Sequence, residues 1–326
     1  MLPQTPFYYY DTALLRTTLA AIAKEVAPYP NYHVHYAMKA NANPRLLEII
    51  QQAGLGADCV SGGEVQRAID AGFPADKIVY AGVGKSDREI LTALQHDIFC
   101  FNVESIPELE VINELAAREG KIARVCLRIN PDVEAHTHTH IITGMAENKF
   151  GIALHDMLHV VQLAQQLPNI SFIGLHFHIG SQITNMHDFV ALCERINEIQ
   201  HLLHKHAIYP SVINVGGGLG IDYHEPEAHP IPNFKAYFQV FEQHLHLRPE
   251  QSLHFELGRS VVAQCGSLIT RVLYVKQTAT KQFAIVDAGM TELIRPALYQ
   301  AKHKIVNLTS RLDIQEKYDV VGPICE

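Results

Sequence analysis

Between about residues 33 and 258, short apolar runs rich in β-branched and aromatic residues alternate with stretches whose apolar positions recur every three or four residues. Eight runs have strand character: His33–Ala40, Gly56–Ser61, Ile78–Gly82, Ile98–Ser105, Arg124–Pro131, Gly174–Gly180, Val212–Gly218 and Ser252–Gly258. The stretches between them read as amphipathic helices, among them Pro44–Ala53, Glu64–Ala71, Asp87–Gln95, Pro107–Arg118 and Met157–Gln166. Leu46, Leu47, Ile49 and Ile50 form one such apolar stripe. Strands that alternate with helices predict parallel pairing through right-handed crossovers. Eight units over about 220 residues predict a closed (β/α)8 barrel of the TIM type rather than an open sheet.

The two ends break this rhythm. Phe7-Tyr8-Tyr9-Tyr10 is strand-like and precedes a helix opening at Asp11-Thr12. Beyond residue 262, the apolar runs Ser267–Val275, Gln282–Asp287 and Tyr318–Val321 follow one another with no helix expected between them. The reading is an α/β protein in which a barrel of residues 26–262 is inserted in a second, mostly antiparallel β domain built from residues 1–25 and 263–326.

Composition narrows the function classes. With 48% hydrophobic and 18% charged residues, the 326-residue chain can bury a sizeable core. A net charge of −8 without long runs of one sign argues against nucleic acid or an anionic membrane as partner, and leaves room for a small ligand in a local positive pocket. Met1-Leu2-Pro3-Gln4 opens no signal peptide, and no apolar run approaches the ~20 residues that span a bilayer. The cysteines at 59, 100, 126, 193, 265 and 325 include no C-x-x-C pair, so neither a disulfide framework nor a zinc site is expected. A reducing cytoplasm is the simplest compartment, with the first five as small buried apolar residues.

Reactive groups collect where the expected strands end, which is where barrel enzymes carry their chemistry. They are Lys39, Asp58, Arg128, His178 with Ser181, Gly216–Gly218, and Glu256 with Arg259. A lysine in the apolar setting of Tyr36-Ala37-Met38-Lys39 is costly unless paired or neutralised, for instance as a Schiff base. Taken alone, it reads equally as a surface lysine laying its stem over apolar neighbours. The run Gly216-Gly217-Gly218-Leu219-Gly220 lets backbone N–H groups approach an anion, and with Gly258 it follows the seventh and eighth strands, the recurrent phosphate position in barrels. Ile221 stands where a dinucleotide fingerprint needs glycine, and Val79 spoils a P-loop ending at Gly84-Lys85-Ser86. His136, His138 and His140 alternate, but among twenty histidines in the chain they read as loop residues and no metal site is expected. Glu256 beside such a turn is able to keep a pyridine nitrogen protonated, which makes the ring an electron sink for a carbanion left by CO₂. His178 alternates with His176: one can stack on a flat cofactor, and His176 reads better as a hydrogen-bonded barrel residue.

Ten stretches in order make the chain resemble the fold-type III pyridoxal-phosphate decarboxylases, and most closely those acting on meso-2,6-diaminopimelate. They are Thr5–Tyr8, Tyr36–Asn41, Gly56–Glu64, Leu127–Pro131, Asn148–Gly151, Leu175–Gln182, Gly216–Tyr223, Glu256–Ser260, Asp287–Tyr299 and Gly322–Glu326. The resemblance implies decarboxylation to L-lysine and CO₂, with pyridoxal 5'-phosphate on Lys39 and His178 stacked on its ring. Asp58 and Arg128 join the cofactor site. Ser181, Gly216, Gly217, Gly218 and Gly258 hold the phosphate, and Glu256 partners the ring nitrogen. Arg259, Arg295, Tyr299 and Glu326 bind substrate, and Cys325 donates a proton across the interface of a homodimer with shared sites. Two arginines suit a distal carboxylate that ornithine or lysine lacks. A decarboxylase of another amino acid, such as a carboxylated polyamine precursor, and a catalytically silent cofactor-binding homologue remain alternatives; a Rossmann-type oxidoreductase is a distant third.

Two departures matter. Leu257 stands where the family usually has proline, which leaves that turn without a fixed φ. The family continues beyond the position of Glu326 with further strands and an active-site tyrosine. The residues to Glu326 are therefore expected to form a cofactor-competent barrel with little decarboxylase activity.

Overall fold

The computed structural model describes residues 4–133, 149–314 and 316–324. In chain order its first elements are β1 (Phe7–Tyr10), α1 (Thr12–Val26), β2 (Tyr32–Ala37), α2 (Pro44–Gln52), β3 (Gly56–Cys59), α3 (Gly62–Asp70), β4 (Ile78–Tyr80), α4 (Asp87–Gln95), β5 (Cys100–Val103) and α5 (Ile106–Arg118). Next come β6 (Ala123–Arg128), α6 (Met157–Gln166), β7 (Ile170–His176), α7 (Met186–Lys205), β8 (Val212–Asn214), α8 (Phe234–His244), β9 (Ser252–Leu257) and α9 (Arg259–Val262). The last are β10 (Gly266–Ile269), β11 (Val272–Gln277), β12 (Gln282–Val286), α10 (Arg295–Tyr299) and β13 (Asp319–Val321).

The chain divides into two compact units, Leu15–Ile221 with Ile231–Ala263, and Met1–Leu14 with Asp222–Pro230 and Gln264–Glu326. Compared with the boundaries at 26 and 263 expected from sequence, the barrel unit takes in most of α1 and releases 222–230. The reason for the first difference is burial: Leu15, Thr18, Leu19 and Ile22 of α1 are all buried.

In the larger unit, β2 to β9 close into an all-parallel barrel in sequence order, β9 returning to β2 with Glu256 opposite His35. Helices start where serine caps them. Ser61 accepts from Glu64 N at the head of α3, Ser105 accepts from Glu108 N at α5, and Ser86 donates its N–H and hydroxyl to Glu89 at α4. Lys85, in the motif that fails as a P-loop, points inward instead. Its Nζ donates to the carbonyls of Gly82 and Asn102 and pairs with Glu108 at 2.6 Å, lashing the loops after β4 and β5 together. Among the described residues no helix is long and apolar enough to cross a membrane.

Strand alternation sorts side chains into two shells. The outward set, including Tyr36, Tyr80, Phe101, Leu127, Phe177 and Phe255, packs under the helices, and each is buried. Phe255 shows the packing: its ring meets Phe238, Phe241 and Tyr237 of α8 edge-on, with centroids 5.0, 5.1 and 5.8 Å away. The inward set holds only a small apolar plug of Val79, Cys100, Cys126 and Val212. Above and below it the interior is polar, with His35, Asp58, Asn102, Arg128, His176, Asn214, His254 and Glu256 all buried. Barrels are usually filled by layers of Val, Ile and Leu. This one keeps stability in its outer shell and chemistry in its inner one.

In the second unit, β1 pairs antiparallel with β10, while β11, β12 and β13 form a three-stranded sheet whose last pair is parallel. The expected single strand Ser267–Val275 is broken in two at Thr270-Arg271. There the Asp287 carboxylate gathers the Thr5 hydroxyl, the Thr270 hydroxyl and the Arg271 N–H. A short helix, α10, also stands where none was expected. Pro296 in its first turn favours it, and Gln300, at φ +52°, ends it.

Replacing Phe255 with alanine opens a cavity among three aromatic rings and destabilises the barrel by about 3–5 kcal/mol. The melting temperature of the apoprotein is expected to fall by roughly 5 °C or more. A shift of a degree or less would show that the outer shell does not carry the fold in this way.

Candidate active site

Glu256 sits one residue before the end of β9, with its side chain inside the barrel and only 6% exposed. A buried carboxylate must be surrounded by donors or lose its charge. Three strands supply them. Asn102 of β5 and Asn214 of β8 donate their Nδ2 groups to Oε1 at 3.0 and 2.8 Å, and His176 of β7 places Nε2 3.0 Å from Oε2. Burial alone would raise the pKa of Glu256. The interaction with His176, its hydrogen bond included, and the charge of Lys39 reverse that and hold the carboxyl far below its ordinary value. Glu256 is thus a standing anion inside the barrel.

Lys39 follows β2 in a single 3₁₀ turn, Met38–Ala40, rather than in the strand itself. The turn lifts its side chain to the carboxyl end of the barrel, where it is 50% exposed while its partner Asp58, 3.0 Å away, is 1% exposed. Burial works against the Lys39 ammonium, but Asp58 and Glu256 outweigh it and the pKa lies above the ordinary lysine value. Asp58 shows the opposite balance. Burial and repulsion from Glu256 push its carboxyl up, and Lys39 recovers only part of the difference. Asp58 Oδ1 is buried with no hydrogen-bond partner. Within the pair the amine holds its proton firmly, and the buried carboxylate is the group whose affinity for a proton burial has raised.

Around this centre, the ends of β6 to β9 bring up the remaining residues. Arg128, last in β6, pairs with Glu104 at 3.0 Å and stacks over Phe150, whose ring centroid lies 4.7 Å away. Glu104 also accepts the N–H groups of Gly82 and Gly151, so it joins three loops. His178 accepts the N–H of Gly217 at Nδ1, 3.3 Å away, and burial together with the charges of Arg128 and Lys39 holds its pKa well below the ordinary value. Its ring is neutral, with the proton on Nε2. The Gly216–Gly218 turn needs its glycines: Gly216 has φ +69°, and a Cβ on Gly217 would lie 1.9 Å from the carbonyl oxygen of Glu256. Ser181 and Arg259 meet at the same end, Arg259 Nη2 donating to Ser181 Oγ at 3.2 Å. Leu257 is fully buried, so packing steadies the turn that proline would otherwise fix.

The structure brings Lys39, Asp58, Arg128, His178, Ser181, Gly216, Gly217, Gly218, Glu256, Gly258 and Arg259 to one end of one barrel. Arg295 and Tyr299 belong to the other unit, where Arg295 lies over the Tyr223 ring at 4.5 Å with Nη1 3.2 Å from His303. Cys325, Glu326 and the histidines at 136, 138 and 140 lie outside the described residues. Sequence reasoning passed over Asn102, Asn214 and Glu104, and weighed Lys85 only within a P-loop that it rejected. The asparagines carried a signal all the same: each is a lone polar residue between apolar neighbours, Phe101-Asn102-Val103 and Ile213-Asn214-Val215, which marks an inward position in a barrel strand. These residues suit pyridoxal phosphate. A lysine with its side chain half exposed beside a buried acid, a neutral flat imidazole and a permanent anion match its aldehyde, ring and ring nitrogen.

Comparison with known proteins agrees. A profile described as "Pyridoxal-dependent decarboxylase, pyridoxal binding domain" matches residues 13–263. The chain is 65% identical over 323 residues to a diaminopimelate decarboxylase of Bacteroides thetaiotaomicron, covering 99% of this chain and 83% of that one. It is 43% identical over 324 residues to a diaminopimelate decarboxylase of Vibrio cholerae, of which 76% is covered. The crystal structure of the Helicobacter pylori diaminopimelate decarboxylase complexed with L-lysine superposes with a TM-score of 0.92 at 38% identity, over 99% of this chain and 80% of that one.

The depressed pKa of Glu256 makes a prediction with a definite sign. A carboxyl whose folded pKa lies below its unfolded value contributes stability that is complete above the unfolded value, ~4.3, and is lost as pH falls through the folded one. The apoprotein is therefore expected to melt well above its Glu256→Gln variant between pH 5 and 8, with a gap that closes below about pH 4. Melting curves across that range check it. A gap that widens on acidification would mean that Glu256 is not an anion in the fold.

Proposed function

The chain belongs to the pyridoxal-dependent decarboxylases, and within them to the diaminopimelate decarboxylases, which convert meso-2,6-diaminopimelate to L-lysine and CO₂; we propose the following division of that reaction among its residues. The observation that carries it is the meeting of Lys39, whose side chain is half exposed, and a buried permanent anion, Glu256, at one end of one barrel. Lys39 would hold the cofactor through Nζ. His178 offers its neutral ring face, Ser181 with Gly216–Gly218 and Gly258 the phosphate end, and Glu256 the counter-charge for the ring nitrogen. When bound, the cofactor supplies a sink for the electron pair left behind by departing CO₂.

The remaining work falls to the protein's own groups. Lys39 is an ammonium as it stands and must give up a proton to react as an amine. Asp58 Oδ2, 3.0 Å away and raised in pKa by burial, is placed to receive it. Arg128 is fixed by Glu104 and adds to the burial that keeps His178 from charging. Arg259 and Arg295 bind the substrate's distal carboxylate, for which a planar guanidinium is suited, with Tyr299 and Glu326 as further substrate contacts. Cys325 supplies the proton that completes lysine, from the partner chain of a homodimer. We place the enzyme in the cytoplasm, which suits five buried free thiols at 59, 100, 126, 193 and 265.

Against the little activity expected from the sequence, the function shared with its relatives predicts that the protein loaded with pyridoxal phosphate releases CO₂ from meso-2,6-diaminopimelate and leaves lysine. Lys39→Ala should do neither and should lose the visible absorbance of the bound cofactor. Borohydride reduction followed by peptide mapping checks the attachment point, and a label on any other lysine overturns it.

Arg295→Leu tests the choice of substrate. Leaving a desolvated carboxylate unpaired costs about 3 kcal/mol, so kcat/KM for diaminopimelate should fall on the order of a hundredfold. Any slow decarboxylation of lysine, which lacks that carboxylate, should change far less. Equal losses on the two compounds would make Arg295 a structural residue.

A further inference from the structure

Asn214 makes a second bond that its role as a donor to Glu256 does not explain. It is the last residue of β8, 1% exposed, and its carboxamide makes two bonds in opposite senses. Nδ2 donates to Glu256 Oε1 at 2.8 Å, and Oδ1 accepts the N–H of Gly216 at 2.9 Å. The orientation is fixed by these partners, since a flipped amide would set oxygen against carboxylate and NH₂ against N–H. The same two segments also meet through the backbone, where Glu256 N donates to Gly216 O at 2.8 Å. One buried side chain thus spans from the carboxylate to the first glycine of the turn.

We propose that Asn214 is a positioning residue that couples the ring-nitrogen end of the cofactor site to its phosphate end, setting the distance between the Glu256 carboxylate and the Gly216–Gly218 turn. The proposal rests on the reading of that turn as the phosphate holder. A rigid cofactor anchored at two ends gains affinity only if both anchors are held at its own length before it arrives. The backbone contact fixes where β9 passes the turn, but it does not orient the carboxylate. The carboxamide does, because the oxygen it holds belongs to the group that would face the ring. Asn102 differs in this respect. It donates to the same Oε1 at 3.0 Å, yet among the described residues its carboxamide oxygen has only a long contact with the Cys100 thiol, at 3.9 Å, and no link to the turn. Asn102 serves one end of the site and Asn214 serves both.

That difference gives the test. Wild-type apoprotein and three variants, Asn214→Leu, Asn214→Asp and Asn102→Leu, are titrated with pyridoxal phosphate and with inorganic phosphate as competitor. Asn214→Leu should weaken both ligands at least about tenfold, the size expected when hydrogen bonds to charged or buried groups are lost. Asn102→Leu should weaken pyridoxal phosphate but leave inorganic phosphate within about twofold. Asn214→Asp keeps an acceptor for Gly216 N–H and replaces the donor with a second carboxylate beside Glu256. It should bind inorganic phosphate normally, bind pyridoxal phosphate poorly at pH 8, and recover as pH falls and the two carboxylates share a proton. The visible spectrum of its bound cofactor should titrate over that range while the wild type's stays constant.

Inorganic phosphate affinity unchanged in Asn214→Leu, or an Asn214→Asp variant like the wild type at every pH, overturns the proposal. Should Asn214→Leu fail to fold, which its thermal melt reports, Asn214→Asp against Asn102→Leu decides alone. If inorganic phosphate does not compete with pyridoxal phosphate even in the wild type, the reading of the turn is wrong and the proposal falls with it.

Discussion

A carboxylate without water is the constraint on which this barrel is built. Glu256 lies where desolvation should neutralise it, and it stays charged because three strands each contribute one donor. Those donors come from β5, β7 and β8, and the acceptor from β9. Only a closed barrel of this register brings the four inward positions together. A slip of one residue in any strand would turn its donor outward under the helices and leave the anion short of a partner. The site does not merely sit on the fold. Its central anion is satisfied only when the fold is right.

The same anion orders the charges around it. Lys39 keeps its proton because Asp58 and Glu256 together exceed the cost of its burial, and Asp58 is raised because Glu256 repels it. His178 is pulled down by its burial first, with Arg128 and Lys39 adding to the effect. Below the plug, burial pulls His35 down to about 4, and it shares its Nε2 with His254 Nδ1 at 2.8 Å as one of two neutral rings. Charge is thus concentrated at the carboxyl end and absent from the rest of the interior. A ligand carrying an anionic phosphate and a protonatable ring nitrogen meets matching groups there.

Much of this was legible in the sequence. The alternation of strand and helix marked all eight barrel strands, because each is a short apolar run between amphipathic helices. Strand-end logic found Lys39, Asp58, Arg128, His178 and Glu256, because reactive residues are conspicuous where apolar ones are the norm. His176 was read as a hydrogen-bonded barrel residue, and it is one. The misses have a common cause. Asn102, Asn214 and Glu104 act through partners on strands far away in the chain, so their purpose depends on register, which no local pattern encodes. The break at Thr270-Arg271 depends likewise on Asp287 and Thr5, more than a dozen and more than 260 residues away. Helix α10 was missed because the apolar runs beyond residue 262 were read as strands alone, although proline in a first turn, as at Pro296, starts a helix.

The division of the barrel into two shells explains why such a costly interior is tolerated. The inner shell contributes little net stability, since each polar group there exchanges water for a protein partner at a gain of about 1 kcal/mol or less. The outer shell removes Tyr36, Tyr80, Phe101, Phe177 and Phe255 from water altogether, each with the larger gain of a buried aromatic. Because successive residues of one strand face opposite shells, Phe255 and Glu256 are adjacent in sequence yet belong to separate functions. Substitution at Glu256 therefore reaches the chemistry, and at Phe255 the stability. The same alternation, offset by register, runs through the other barrel strands. It is what allows the inner lining to be chosen for a reaction without dissolving the fold that holds it.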